Sequence, residues 1–198
     1  AFTSTLGATV SPGMRLRTTR TVAAPTQCTS LNGTTQYYSK SSPAGMIFTD
    51  DFVVSAWIKL TSYPSSAATI ASRYNGTSGW VFDVNSSGQV RLLGYNNSAS
   101  NVSYVYSYQS VPLNKWFHVT AQLDMSTFTA TTTTSYVMID GVDVPAVVTR
   151  AGTNPTALVQ AGNLEIGSSN GGTMFFSGKI AQVAIYNAKV TQANIRAT

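Results

Sequence analysis

The stretch FVVSAWIKL, residues 52–60, limits the fold more than any other part of this chain. Phe52, Val54, Ala56, Ile58 and Leu60 fall on one side of an extended strand, and Val53, Ser55, Trp57 and Lys59 on the other. A repeat of two with one wholly apolar side is the pattern of a strand laid against a core. Turn residues punctuate the chain beyond it: Asn75-Gly76, Ser87-Gly88, Asp140-Gly141 and Asn170-Gly171-Gly172. These pairs tolerate the positive φ of tight hairpins. Strands are therefore expected near 35–40, 45–49, 52–60, 68–74, 79–85, 89–95, 102–108, 115–123, 128–139, 142–148, 163–167 and 174–187. Only VTQANI, residues 190–195, is spaced like a helix. The expected architecture is all-β: a two-sheet antiparallel jelly-roll sandwich over residues 31–198, with an N-terminal extended arm and a short C-terminal helix.

The arm is residues 1–30, rich in Thr, Ala, Pro and Gly and without periodicity. Charge sits unevenly along the chain. Residues 1–40 carry Arg15, Arg17, Arg20 and Lys40 and no acid, whereas the remainder has eight bases against seven acids. A nearly neutral body argues against a nucleic-acid partner, and the three arginines suit either an arm that anchors the protein to an acidic partner or a solvated flexible leader. Charged residues are only 10% of the chain, against about 25% in an average soluble domain. Sparse charge among many Thr, Ser and Asn suits an extracellular or particle-surface protein. No apolar run is long enough for a transmembrane helix, so no membrane partner is expected. The opening AFTSTLGATVSPGMRLRTT has no apolar leader, which fits a particle component released by lysis. The single cysteine, Cys28, can form no internal disulfide.

The motifs have an order as well as a period: LNGTTQYYSK, FVVSAWIKL, GWVFDVNSSGQVRL, NKWFHVTAQLD, YVMIDGVDV, NLEIGSS and FFSGKIAQVAIYNAKVTQANI. In this order the chain resembles the laminin-G-like, concanavalin A-like lectin/glucanase superfamily over about residues 30–197. The resemblance is to its bacterial and viral jelly-roll branch. It implies two curved antiparallel sheets and a role in binding or adhesion, although fold alone does not settle function.

Candidate chemistry is scarce. His118 is the only histidine, and it shares a strand side with Trp116, Thr120 and Gln122. A zinc site needs about three ligands, and no acid or second histidine lies at strand spacing, so His118 reads as a framework residue. The superfamily's glucanases carry an acidic cluster on one strand, Glu-x-Asp-x-x-Glu or close to it. Here the only glutamate, Glu165, has Asn163 and Gly167 at strand spacing, so the resemblance does not carry hydrolase activity over, and the chain reads as no enzyme. Some relatives hold Ca²⁺ at the sandwich rim. Asp50, Asp51, Asp140 and Asp143 are the carboxylates nearest that pattern, but loop ends and a turn explain them, and no metal or cofactor is assigned.

The stripe VSYVYSY is the most suggestive feature. Tyr104, Tyr106 and Tyr108 share one side with Val102, and Ser103, Val105 and Ser107 share the other. Such a row can stack on sugar rings, form a contact between copies of the chain, or pack at the core's edge. Tyr74 and Tyr95 could extend a sugar platform, and so could Trp80 unless it begins a buried strand. Two functional readings follow. The first is a non-catalytic surface-display or structural module of a particle such as a bacteriophage virion, as capsid decoration or tail, anchored by its arm to other structural proteins or to itself. The second is a carbohydrate-binding lectin or adhesin domain of an extracellular protein with a surface glycan as partner. A glycan hydrolase ranks third.

Overall fold

A computed structural model describes residues 24–43, 46, 48, 51–98, 100–124, 134–151, 162–188 and 190. The strands among them are β1 (Thr29–Asn32), β2 (Tyr38–Lys40), β3 (Phe52–Leu60), β4 (Ala67–Tyr74), β5 (Gly79–Asn85), β6 (Gln89–Tyr95) and β7 (Val102–Ser110). They continue as β8 (Phe117–Leu123), β9 (Tyr136–Ile139), β10 (Val142–Val144), β11 (Ala146–Ala151), β12 (Leu164–Ile166) and β13 (Ser177–Tyr186). One sheet has six strands in the order β1-β13-β3-β8-β9-β10, and the other has seven in the order β11-β7-β6-β5-β4-β12-β2. All pairs are antiparallel, and the crossovers are those of a jelly-roll sandwich.

The alternation in Phe52–Leu60 positions β3 as expected. Phe52, Val54, Ala56, Ile58 and Leu60 belong to the core between the sheets. Trp80, Phe82 and Val84 of β5 and Leu92 and Val105 of β6 and β7 meet them from the other sheet. Aromatic contacts join the layers: Phe48 stacks on Phe52 at 4.7 Å, and Phe52 lies 6.0 Å from Trp80. Asparagines shape the turns. The Oδ1 of Asn75 accepts the N–H groups of Thr77 and Ser78, and that of Asn85 accepts those of Ser87 and Gln89.

Three expectations need correction, and a fourth is mostly out of reach. The expected strand 142–148 is two strands in different sheets, divided at Pro145, which has no N–H to continue a ladder. Residues 46 and 48 are not in a strand, although Phe48 is a core side chain. β1 starts at Thr29, inside the stretch read as an arm; its one buried side chain, Leu31, is too weak a pattern to show in sequence. The helix expected over 190–195 falls outside the described residues except for Val190, which is not helical.

Gly79 opens β5 at φ 118°, and a Cβ there would lie 1.9 Å from the Arg73 carbonyl oxygen. An L side chain meets both backbone strain and a clash with main chain. Urea unfolding should show Phe52→Ala losing about 3–5 kcal/mol, the usual cost of truncating a buried aromatic. Gly79→Ala should also lose more than about 1 kcal/mol. Wild-type midpoints for both variants would contradict this packing.

Candidate ligand-binding face

Each strand commits one side to the core; on the other side of the seven-stranded sheet Val81, Asp83 and Leu93 are themselves buried, whereas the tyrosines and Arg91 reach solvent. On β7 the alternation turns Ser103, Val105 and Ser107 inward and Tyr104, Tyr106 and Tyr108 outward. The tyrosine rings form a ladder, with 5.9 Å between Tyr104 and Tyr106 and 6.4 Å between Tyr106 and Tyr108. Tyr108 is 64% exposed, and the other two are half-buried.

Strand register places charge beside this ladder. Tyr106 is opposite Arg91 on β6, and Arg91 is opposite Asp83 on β5. The guanidinium grips the carboxylate at two points: Nε donates to Oδ1 at 2.7 Å and Nη2 to Oδ2 at 2.8 Å. This fork-on-fork geometry is the strongest form of such a pair. Burial pushes the Asp83 carboxyl upward, and bonding to Arg91 opposes it. Burial also works against the Arg91 cation, but Asp83 outweighs it and raises the guanidinium's pKa.

Two outward rungs from Arg91, past Leu93 and Val81, Tyr95 of β6 and Tyr74 of β4 face each other across β5, with Gly79 between them in register. Glycine leaves the space empty, so the two rings meet at 4.7 Å. The Tyr74 hydroxyl donates to the Gly76 carbonyl at 2.6 Å. Burial, with Asp83 and Tyr74 nearby, raises the Tyr95 hydroxyl to about 12, so it remains a neutral donor.

Tyr74, Tyr95, Tyr104, Tyr106 and Tyr108, read separately from the sequence, thus share one face. Trp80 does not join them; it is wholly buried in the core. Asp83 and Arg91 were missed in the sequence. Their signal was present: counted outward from Ser87, the centre of the β5–β6 hairpin, they are directly opposite, and each is the lone charge of its strand. Arg15, Arg17, Arg20 and Asp50 lie outside the described residues.

The remaining candidates have structural work. His118 sits in the six-stranded sheet opposite Trp57, with 5.4 Å between the rings. Its backbone N–H donates to Asp140 Oδ1 at 2.8 Å, and the Asp140 N–H returns a bond to the His118 carbonyl. Asp140 therefore closes a turn, at φ 51°. Glu165 is buried: Ser168 Oγ donates to Oε2 at 2.6 Å and the Gly171 N–H to Oε1 at 2.8 Å, tying the β12–β13 connection to the sheet. Among the described residues no three of His, Cys, Asp and Glu converge as a metal site.

The family model described as the concanavalin A-like lectin/glucanases superfamily matches residues 32–196. The chain belongs to this superfamily. No curated protein sequence matches it. Solved structures of this lectin/glucanase fold are similar at low identity. The CBM40 domain of the Ruminococcus gnavus IT-sialidase, bound to alpha2,3 sialyllactose, has a TM-score of 0.66 at 14% identity over 86% of this chain and 95% of that one. A putative carbohydrate binding protein from Bacteroides ovatus gives 0.58 at 17% identity, covering 87% of this chain and 47% of that one. The botulinum neurotoxin serotype G binding domain gives 0.62 at 13%, covering 85% and 41%. This chain spans less than half of the last two. None of the three is named as a virion protein.

Burial, more than Asp140 can offset, lowers the pKa of His118 below its ordinary 6.5. The unfolded chain then binds the proton more readily than the folded one, so stability is lost as pH falls through the ordinary value. The drop in Tm between pH 7.5 and 5 should be smaller in His118→Gln than in the wild type. Identical pH slopes would remove His118 from this account.

Proposed function

We propose that this lectin/glucanase-type sandwich is a non-catalytic carbohydrate-binding domain that works outside the cell and holds a surface glycan against the tyrosine face of its seven-stranded sheet. The observation that carries the reading is the convergence of Tyr74, Tyr95, Tyr104, Tyr106 and Tyr108 around the Arg91–Asp83 pair. Phenol rings present flat apolar surfaces to the C–H faces of a pyranose, and their hydroxyls and Arg91 present polar atoms to its rim. The similarity to a sialidase CBM40 domain bound to sialyllactose and to a putative carbohydrate binding protein adds support.

Catalysis is not part of the reading. A glycosidase needs two carboxyl groups flanking the scissile bond, one free to give a proton. Asp83 has both oxygens on Arg91, and Glu165 has both on Ser168 and Gly171. Display on a particle, the first reading from the sequence, is compatible with glycan binding, but nothing on the tyrosine face calls for it.

A glycan array followed by calorimetry tests the proposal. The wild type should bind at least one oligosaccharide, and Tyr106→Ala should weaken that binding about tenfold, or about 1.4 kcal/mol, with little change in Tm. A protein that binds no glycan, or an alanine variant that binds as well as the wild type, would overturn it.

A further inference from the structure

We infer that the tyrosine face selects uncharged sugars and discriminates against carboxylated ones; the inference rests on the carbohydrate-binding reading above. The cation at its centre is already spent. Arg91 directs Nε and Nη2 at Asp83, at 2.7 and 2.8 Å, so its side-on fork edge is taken, and the end-on edge left to a sugar carboxylate belongs to a cation already neutralised. The Asp83 side chain is 2% exposed and that of Arg91 24%, so bulk water does little to weaken the pair. An arriving carboxylate would meet the field of a neutralised guanidinium with a fixed carboxylate behind it.

Among the described residues no second cation joins Arg91 on this face: it is the only base at an outward register position of the seven-stranded sheet. Arg73 is opposite Trp80 on the core side, where its Nη1 donates to the Met46 carbonyl. Arg150 is opposite Ser103, the core side of β7. Lys40 is opposite Leu164, and Lys59 and Lys179 face each other in the six-stranded sheet. Lys115 lies in the β7–β8 connection. Glu165, the other outward acid, is buried and bonded to Ser168 and Gly171.

What remains suits hydroxyl groups. Arg91 keeps its Nη1 protons, and Tyr95 stays a neutral phenol. The half-buried Tyr104 and Tyr106 present rings and hydroxyls. Neutral hydroxyls can both donate to and accept from this set without bringing a charge out of water.

Matched probes decide the matter on the intact protein: lactose against 3′-sialyllactose, and cellotetraose against tetragalacturonate, each titrated at low and high NaCl. The expected result is that the neutral member of a pair binds about tenfold or more tighter than its acidic partner. Its affinity should change less than about twofold with salt, because no net ionic contact forms. Equal or tighter binding of the acidic members, weakening with salt, overturns the inference but leaves carbohydrate binding standing. Binding of neither probes nor any arrayed glycan overturns the carbohydrate-binding reading and this inference with it. Asp83→Asn supplies a second test. The amide keeps the shape and frees the guanidinium's charge, so acidic probes should gain relative to neutral ones. An unchanged preference in the folded variant overturns the role given to the pair. Where that variant fails to fold, the wild-type titrations still decide.

Discussion

The packing of two sheets through one shared aromatic and aliphatic layer sets every other property of this molecule. Phe52 and Ile58 from one side and Trp80, Phe82 and Leu92 from the other are almost fully buried. Burial on this scale supplies the main favourable term in folding. It also fixes register, because a one-residue slip would turn each of these side chains to the wrong side. With register fixed, the outward residues of adjacent strands become neighbours by necessity. The binding face is thus a by-product of the core: Tyr106, Arg91 and Asp83 stand in a row because Val105, Leu92 and Phe82 stand in another just behind them.

How much of this could be read in the sequence depended on whether the signal was local. β3, β5, β6 and β7 were legible to within two residues because alternation and a Gly-containing turn act over a few positions. The split at Pro145 was not, since nothing in VDVPAVV says that the halves serve different sheets. β1 escaped notice for a similar reason: it is held by pairing with β13, some 150 residues on, rather than by its own pattern. The tyrosine stripe was legible as a stripe, but its surroundings depended on cross-strand register. Asp83 and Arg91 become a site only once the hairpin is folded on paper, and the joining of Tyr74 to Tyr95 requires knowing that Gly79 lies between them.

The superfamily accommodates both lectins and glucanases on one scaffold, so chemistry has to be judged by what the side chains are free to do. Here three of the described acids are occupied. Asp83 is spent on Arg91, Glu165 on a connection, and Asp140 on a turn that also steadies the strand of His118. Carboxylates tied down in this way hold geometry, and proton transfer needs one that can come and go. A buried ion pair contributes little net stability compared with well-packed apolar side chains. Its value here is positional: it keeps a planar guanidinium at a set height beside the tyrosine ladder.

Pro145 carries a mechanical consequence. It alone separates β10, the edge of one layer, from β11, the edge of the other, while its carbonyl oxygen takes the N–H of Tyr108 at 2.9 Å. A tether one residue long leaves no slack for the layers to shear past each other at this margin. A push on the six-stranded layer's rim would therefore be transmitted directly to the strand that bears the tyrosines.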